Sequence, residues 1–257
     1  MKIIRISGIL FTLFVSLIVQ GANNAKTSNS TFLKGETLEY KARWGVLTIG
    51  HAQTKVDSKV YMVQSHPCFK IEVKGQTNGL ASLFYVKDSW NSYIDTSDLI
   101  THRTSRSIRE GHYMLDEMAN FDHKNKRVAV STLDQKQQKY NDPKYYDIPD
   151  NVCDLIGGFM LMRLRDFSDL KRNDTIKVNG FFEDKSYEMN IVYLGKEIIN
   201  TSRGKVRCLV LRPIMPDNKL LNGKHSVDVW MSDDDNQILM RIRAKMFIGT
   251  FNIELDC

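Results

Sequence analysis

Residues 38–44 read Leu-Glu-Tyr-Lys-Ala-Arg-Trp, with Leu, Tyr, Ala and Trp on one parity and Glu, Lys and Arg on the other. Residues 69–74 repeat the split as Phe-Lys-Ile-Glu-Val-Lys. Successive side chains of a strand point to opposite faces, so this period of two is the mark of a half-buried strand. The pattern continues through the aromatic-rich run 80–94 and through 187–194, 206–211 and 227–231, and it ends in a hairpin, 238–255, that turns near Gly249. Turn residues separate the runs: Asn78-Gly79, Glu110-Gly111, Asp184-Lys185, Leu194-Gly195, Asn222-Gly223 and 233–236. The spacing predicts an antiparallel meander of roughly ten to twelve strands.

One segment departs from period two. Pro149 and Asp150 precede Val152, Leu155, Ile156, Phe159, Met160, Leu161 and Leu164, which are apolar at helical spacing. This predicts a helix near 151–166, capped by Asp150 at its start and with Arg163 and Arg165 in its last turn. It is apolar on most sides and is therefore expected to be buried. Gly157-Gly158 in its middle costs about 1 kcal/mol per glycine relative to alanine, which a close approach to a sheet would justify. The fold class read from these patterns is mainly β: a single antiparallel sheet, curved or partly closed into a barrel, with one central buried helix. The chain has 257 residues with 15 Gly and 5 Pro, no linker-like stretch and no convincing repeat, which excludes a collagen-like fibre and leaves one domain over 31–257.

The chain opens Met1-Lys2-Ile3-Ile4-Arg5 and continues as an apolar run to Val19, too short for a comfortable membrane span. A basic start, a short apolar stretch and small residues after it predict a secretory signal over 1–21, cut after Gly21 with Ala22 and Ala25 as alternative cut sites, and a polar leader over 22–30. Cysteine is absent near the cut, so a lipid-anchored N-terminus is not expected. With no other long apolar run, no transmembrane span is expected in the mature chain. The net charge of +6 falls when Lys2 and Arg5 are removed, and makes no case for nucleic acid. Export permits disulfides among Cys68, Cys153, Cys208 and Cys257. Cys68 and Cys208, both in strand-like runs, are the candidate pair; no Cys-x-x-Cys metal or redox motif is present.

The order of segments resembles a family. Residues 32–52 (FLKGETLEYKARWGVLTIGHA), 85–94 (YVKDSWNSYI), the helix 154–163, and GKVRC at 204–208 followed by VWMSDD at 229–234 together resemble the exported bacterial family named domain of unknown function 3108. The resemblance covers nearly all of the mature chain. It implies an exported envelope protein rich in antiparallel sheet, in the periplasm of a Gram-negative bacterium, and supplies no catalytic residues.

No Gly-x-Ser-x-Gly, His-Glu-x-x-His or phosphate-loop motif is present, and no cofactor is expected. The six histidines, His51, His66, His102, His112, His123 and His225, form no pair at i, i+2 or i, i+4, and are expected as scattered surface residues. Asp233, Asp234, Asp235 and Asn236 read as a hairpin turn rather than a calcium loop, which would need a glycine and a distal Glu. Arg241, Arg243 and Lys245 share one strand face, a candidate contact for anionic head groups or acidic glycan. Trp44, Phe84, Tyr85, Trp90 and Trp230, with Phe159 and Met160 on the helix, are the candidate wall of an apolar cavity between sheet and helix. The leading expectation is a non-enzymatic envelope protein that binds a lipid-like ligand or envelope component. The alternatives are a structural or assembly factor without a cavity, and a hydrolase whose groups meet only in the fold.

Overall fold

The structure, a computed structural model, describes residues 34–78, 85–202, 204–215 and 221–256. The alternation seen in the sequence becomes β1 (Thr37–Trp44), β2 (Leu47–Val63), β3 (His66–Thr77), β4 (Lys87–Asp95), β5 (Thr101–Glu110), β6 (Tyr113–Asp122), β7 (Arg127–Asp134), β8 (Lys139–Tyr140) and β9 (Lys144–Asp147). One helix among the described residues, α1 (Leu155–Leu164), follows. The second half supplies β10 (Thr175–Phe182), β11 (Lys185–Thr201), β12 (Gly204–Pro213), β13 (Val227–Ser232), β14 (Leu239–Lys245) and β15 (Thr250–Leu255).

All fifteen strands form one sheet, and their pairings are antiparallel. The count exceeds the ten to twelve expected because β5 to β9 carry polar residues on both parities and leave little alternation to read. Each half is a meander, and the halves join where β15 pairs with β1, Tyr40 opposite Leu255 and Trp44 opposite Phe251. The connection from β9 to β10 therefore runs from one edge of the sheet to the other, and α1 lies on that connection. A sheet this wide twists and coils. Bulges at Ala42/Arg43, Val56/Val60, Tyr93/Ile94, Tyr193/Gly195 and Trp230/Met231 increase the bend.

The ladder does not close strand to strand. Its edges are linked by the segment entering the helix. Cys153 pairs in parallel with Gly180, its N–H donating to Asn179 O (3.2 Å) and its carbonyl accepting from Phe181 N–H (3.0 Å). Asn179 Nδ2 donates to Asp150 O (3.1 Å) and Ser186 Oγ to Asp147 O (3.0 Å). Phe121, Tyr146 and Phe181 pack over this seam.

The helix is shorter than the expected 151–166 and starts later. Its cap is Asp154, not Asp150: Asp154 Oδ1 accepts from Gly157 N–H at 2.9 Å. Asp150 instead pairs with Lys126 at the surface (2.8 Å). Leu155, Ile156, Phe159, Met160 and Met162 bury themselves among Tyr40, Val56, Ile71, Trp90, Leu211, Ile242 and Phe251 from the strands. Arg163 is also buried. Its guanidinium meets the Glu36 carboxylate (Nη2–Oε2 2.9 Å) and the Asn236 carbonyl (3.0 Å), which fixes the end of the helix to the entry of β1 and to the β13–β14 turn. The expected Cys68–Cys208 disulfide is not formed. Both are free thiols, and β3 and β12 stand six strands apart in the sheet order.

Candidate functional site

The residues expected to wall one apolar cavity are dispersed. Trp90, Phe159 and Met160 lie in the interior, where the Trp90 ring stacks on Phe182 (5.7 Å) and the Arg106 guanidinium stands 5.6 Å from the one and 5.4 Å from the other. Trp44 is half-buried at the border of that core. Trp230 lies in a separate cluster with Ile199, Cys208, Val210 and Met240, since its neighbours Val229 and Met231 take the helix-facing parity. Phe84 lies outside the described residues. A space of about 30 Å³ beside Trp90, Leu155 and Phe182 holds about one water, not an acyl chain.

Two of the three stripe cations are engaged as well, and Lys245 is exposed. Arg241 pairs with Glu254 (2.9 Å), and the Arg241 and Arg243 guanidinium groups lie 5.9 and 4.9 Å from the Trp230 ring. The acidic turn is internally capped: Asp234 Oδ1 accepts from the N–H groups of Asn236 and Gln237 (3.0 Å each), and Asp233 pairs with Lys196 and Arg207.

A larger concavity, about 560 Å³ and open to solvent, lies at one end of β3, β4 and β5. Glu39, Gln53, Lys74, Tyr85, Lys87 and Arg109 stand around it, with Asp88 at its base. Tyr85 is the one expected ligand residue found here. Asp88 is buried opposite Gly75. Burial pushes its carboxyl up to about 8, the Arg109 N–H at 3.0 Å pulls it back, and the neighbouring Glu110 carboxyl raises it again. Burial and the neighbouring Glu110 carboxyl thus both favour the neutral form of Asp88.

At the other end of the same strands, the fold gathers three histidines that sequence spacing left scattered. His66 opens β3, Asp95 closes β4, His102 is the second residue of β5, and His123 follows β6. Asp95 Oδ2 stands 3.2 Å from His66 Nδ1 and 3.1 Å from His102 Nε2. Asp95 Oδ1 accepts from the Ser97 N–H (2.8 Å) and hydroxyl (2.6 Å). The His66 and His102 rings stack at 4.1 Å, and His123 meets His102 edge-on at 5.4 Å. His123 Nε2 donates to the Thr101 carbonyl at 2.7 Å. Burial acts to raise Asp95, but the Ser97 and His102 hydrogen bonds outweigh it and hold the carboxyl below its ordinary value. Burial, with His66 and His123 nearby, lowers His102 and keeps it neutral at pH 7 against the pull of Asp95. Cys68, cross-strand from Asp95, is pushed up to about 11 by burial and by that carboxylate, so its thiol is no nucleophile. The missed signal was pairing across strands: His66 lies far from Asp95 in sequence, Asp95 and His102 flank the β4–β5 turn, and the three meet only once β3, β4 and β5 are in register.

The sequence profile of the family described as "Protein of unknown function (DUF3108)" matches residues 39–256. The chain belongs to this family. Among curated proteins, none matches. Among solved structures, the DUF3108 chain is similar to a β-barrel-like protein of domain of unknown function DUF1849 from Brucella abortus. The TM-score is 0.50 at 8% identity, covering 86% of this chain and 94% of that one. That likeness concerns the fold alone and agrees with a sheet whose edges approach one another. A protein with a YmcC-like fold from Bacteroides fragilis aligns over 90% of this chain and 97% of its own, at 10% identity and a TM-score of 0.30. Among the described residues, no helix is long and apolar enough to cross a membrane.

Proposed function

We propose that this DUF3108 protein is an exported, non-enzymatic component of the bacterial envelope that binds a polar ligand, a glycan segment, in the open groove above Asp88. The observation that carries this reading is the packed interior. The concave side of the sheet is occupied by α1 and its neighbours, while the roomy concavity is open to water and lined mostly by polar residue types. An internal lipid cavity has no comparable support. The groove supplies what a sugar needs: the Gln53 amide, the Lys74 and Lys87 ammonium groups and the exposed Tyr85 ring. Export rests on the basic and apolar N-terminus. A glycan array followed by calorimetry tests the reading. Binding that Tyr85→Ala and Lys87→Ala weaken together supports it. Saturable, one-site binding of a fluorescent fatty acid with no glycan retained would refute it and restore the lipid carrier.

A further inference from the structure

The histidine cluster lies away from the groove. Asp88 and Asp95 are seven residues apart on β4, roughly 23 Å at 3.3 Å per residue, and the site at Asp95 has chemistry of its own. Three donor atoms converge there: His66 Nδ1, Asp95 Oδ2 and His102 Nε2, all within 4.8 Å of one another. A tetrahedral ion with bonds of about 2.0–2.1 Å holds its ligand atoms about 3.3 Å apart. The two contacts to Asp95 Oδ2, 3.2 and 3.1 Å, are close to that spacing, and the stacked imidazoles (interplanar angle 21°) must splay for both nitrogens to face one ion.

The cluster is also built from outside. Ser97 occupies Asp95 Oδ1 through two hydrogen bonds, which turns Oδ2 toward the imidazoles. This is the outer-shell support that fixes a ligating carboxylate. The backbone holds the frame: Asp95 N–H donates to Ile100 O (2.9 Å) and Thr96 N–H to Pro67 O (3.0 Å), which ties the β4–β5 turn to the start of β3. Asp95 and His102 are almost fully buried, whereas the His66 side chain is 53% exposed and leaves an entry path.

We propose that His66, Asp95 and His102 form a binding site for a divalent transition-metal ion, zinc by the donor set, with a fourth position open to water. Two imidazole nitrogens and one carboxylate oxygen are the ligands of open zinc sites, and they disfavour magnesium or calcium, which take oxygen alone. Coordination through His102 Nε2 moves the imidazole proton to Nδ1, which is buried with no hydrogen-bond partner among the described residues. That unsatisfied donor weakens the site, so micromolar rather than nanomolar affinity is expected.

The test uses the untagged mature chain, stripped with chelator and titrated with zinc by calorimetry, with cobalt(II) substitution read by visible absorption. One zinc per chain and an intense tetrahedral cobalt spectrum are expected. His66→Ala, whose exposed ring leaves the fold intact, should weaken zinc more than ~100-fold, beyond the 10–100-fold typical of an outer-shell partner. Ser97→Ala should weaken it ~10-fold, because the Ser97 N–H remains. Asp95→Asn should remove the cobalt spectrum, while His112→Ala, in the β5–β6 turn, changes nothing. Absence of zinc binding, or binding unaffected by His66→Ala, overturns the proposal. A folded Asp95→Asn with the parent's cobalt spectrum does the same.

Discussion

Gly157 lies so close to Thr101 that a Cβ built on it would stand 2.6 Å from the Thr101 hydroxyl oxygen. The oxygen cannot swing away freely, because it donates to Asp154 Oδ1 (2.8 Å) and accepts from the Asp154 N–H (3.1 Å). Ser92 Oγ donates to the same carboxylate oxygen at 2.7 Å. The start of α1 is thus fastened to β4 and β5 by a buried acid, and Gly157 provides the clearance.

Gly157→Ala should therefore destabilise the protein, although alanine gains about 1 kcal/mol of helix propensity. Overpacking typically costs 1–3 kcal/mol, and a net loss of about 1–2 kcal/mol is expected from urea unfolding. A variant more stable than the parent would show that the helix sits further from Thr101.

Phe159→Ala should cost about 3–5 kcal/mol, the usual range for a buried aromatic. Phe159 sits among the strand residues of the main core. Thermal melting within about one degree of the parent would contradict that burial.

The Asp88 carboxyl predicts a pH dependence. Its folded-state value, about 8, lies above its ordinary value of 3.8. The folded state then holds a proton that the unfolded state has released. The contribution is fully present below pH 3.8 and is lost as pH rises to about 8. Asp88→Asn keeps a neutral side chain at every pH, so its melting temperature should fall less steeply across that window. Parallel curves for parent and variant between pH 4 and 8 would count against the shift.

The N-terminal pattern predicts cleavage after Gly21. N-terminal sequencing of protein from the native envelope should begin at Ala22, and intact Met1 in a membrane fraction would argue for an uncleaved anchor.

Alternation in β1 and β3, the aromatic run ending in β4 and the final hairpin were legible because one parity of each strand faces the core. Gly249 turns that hairpin at φ +79°, as its place in the sequence suggests. β5 was not legible: Thr-His-Arg-Thr-Ser-Arg-Ser-Ile-Arg-Glu shows no apolar face, because the place of a core hydrophobe is taken by Arg106 against Trp90 and Phe182. The helix was legible but its start was not. Asp150 and Asp154 are both competent caps by type, and the choice fell to the residue that Ser92 and Thr101 could reach.

The sequence by itself determined the strand-rich class, the position of one buried helix and the family, because hydrophobic period and segment order are local or linear properties. Tertiary structure alone decided the strand count, the filled interior, the burial of Asp88 and the meeting of His66, Asp95 and His102. Each depends on register between strands, and register places residues distant in sequence within hydrogen-bonding reach. The histidines show the difference most plainly: no spacing rule relates positions 66, 95 and 102, yet two antiparallel pairings bring their side chains to a single carboxylate oxygen.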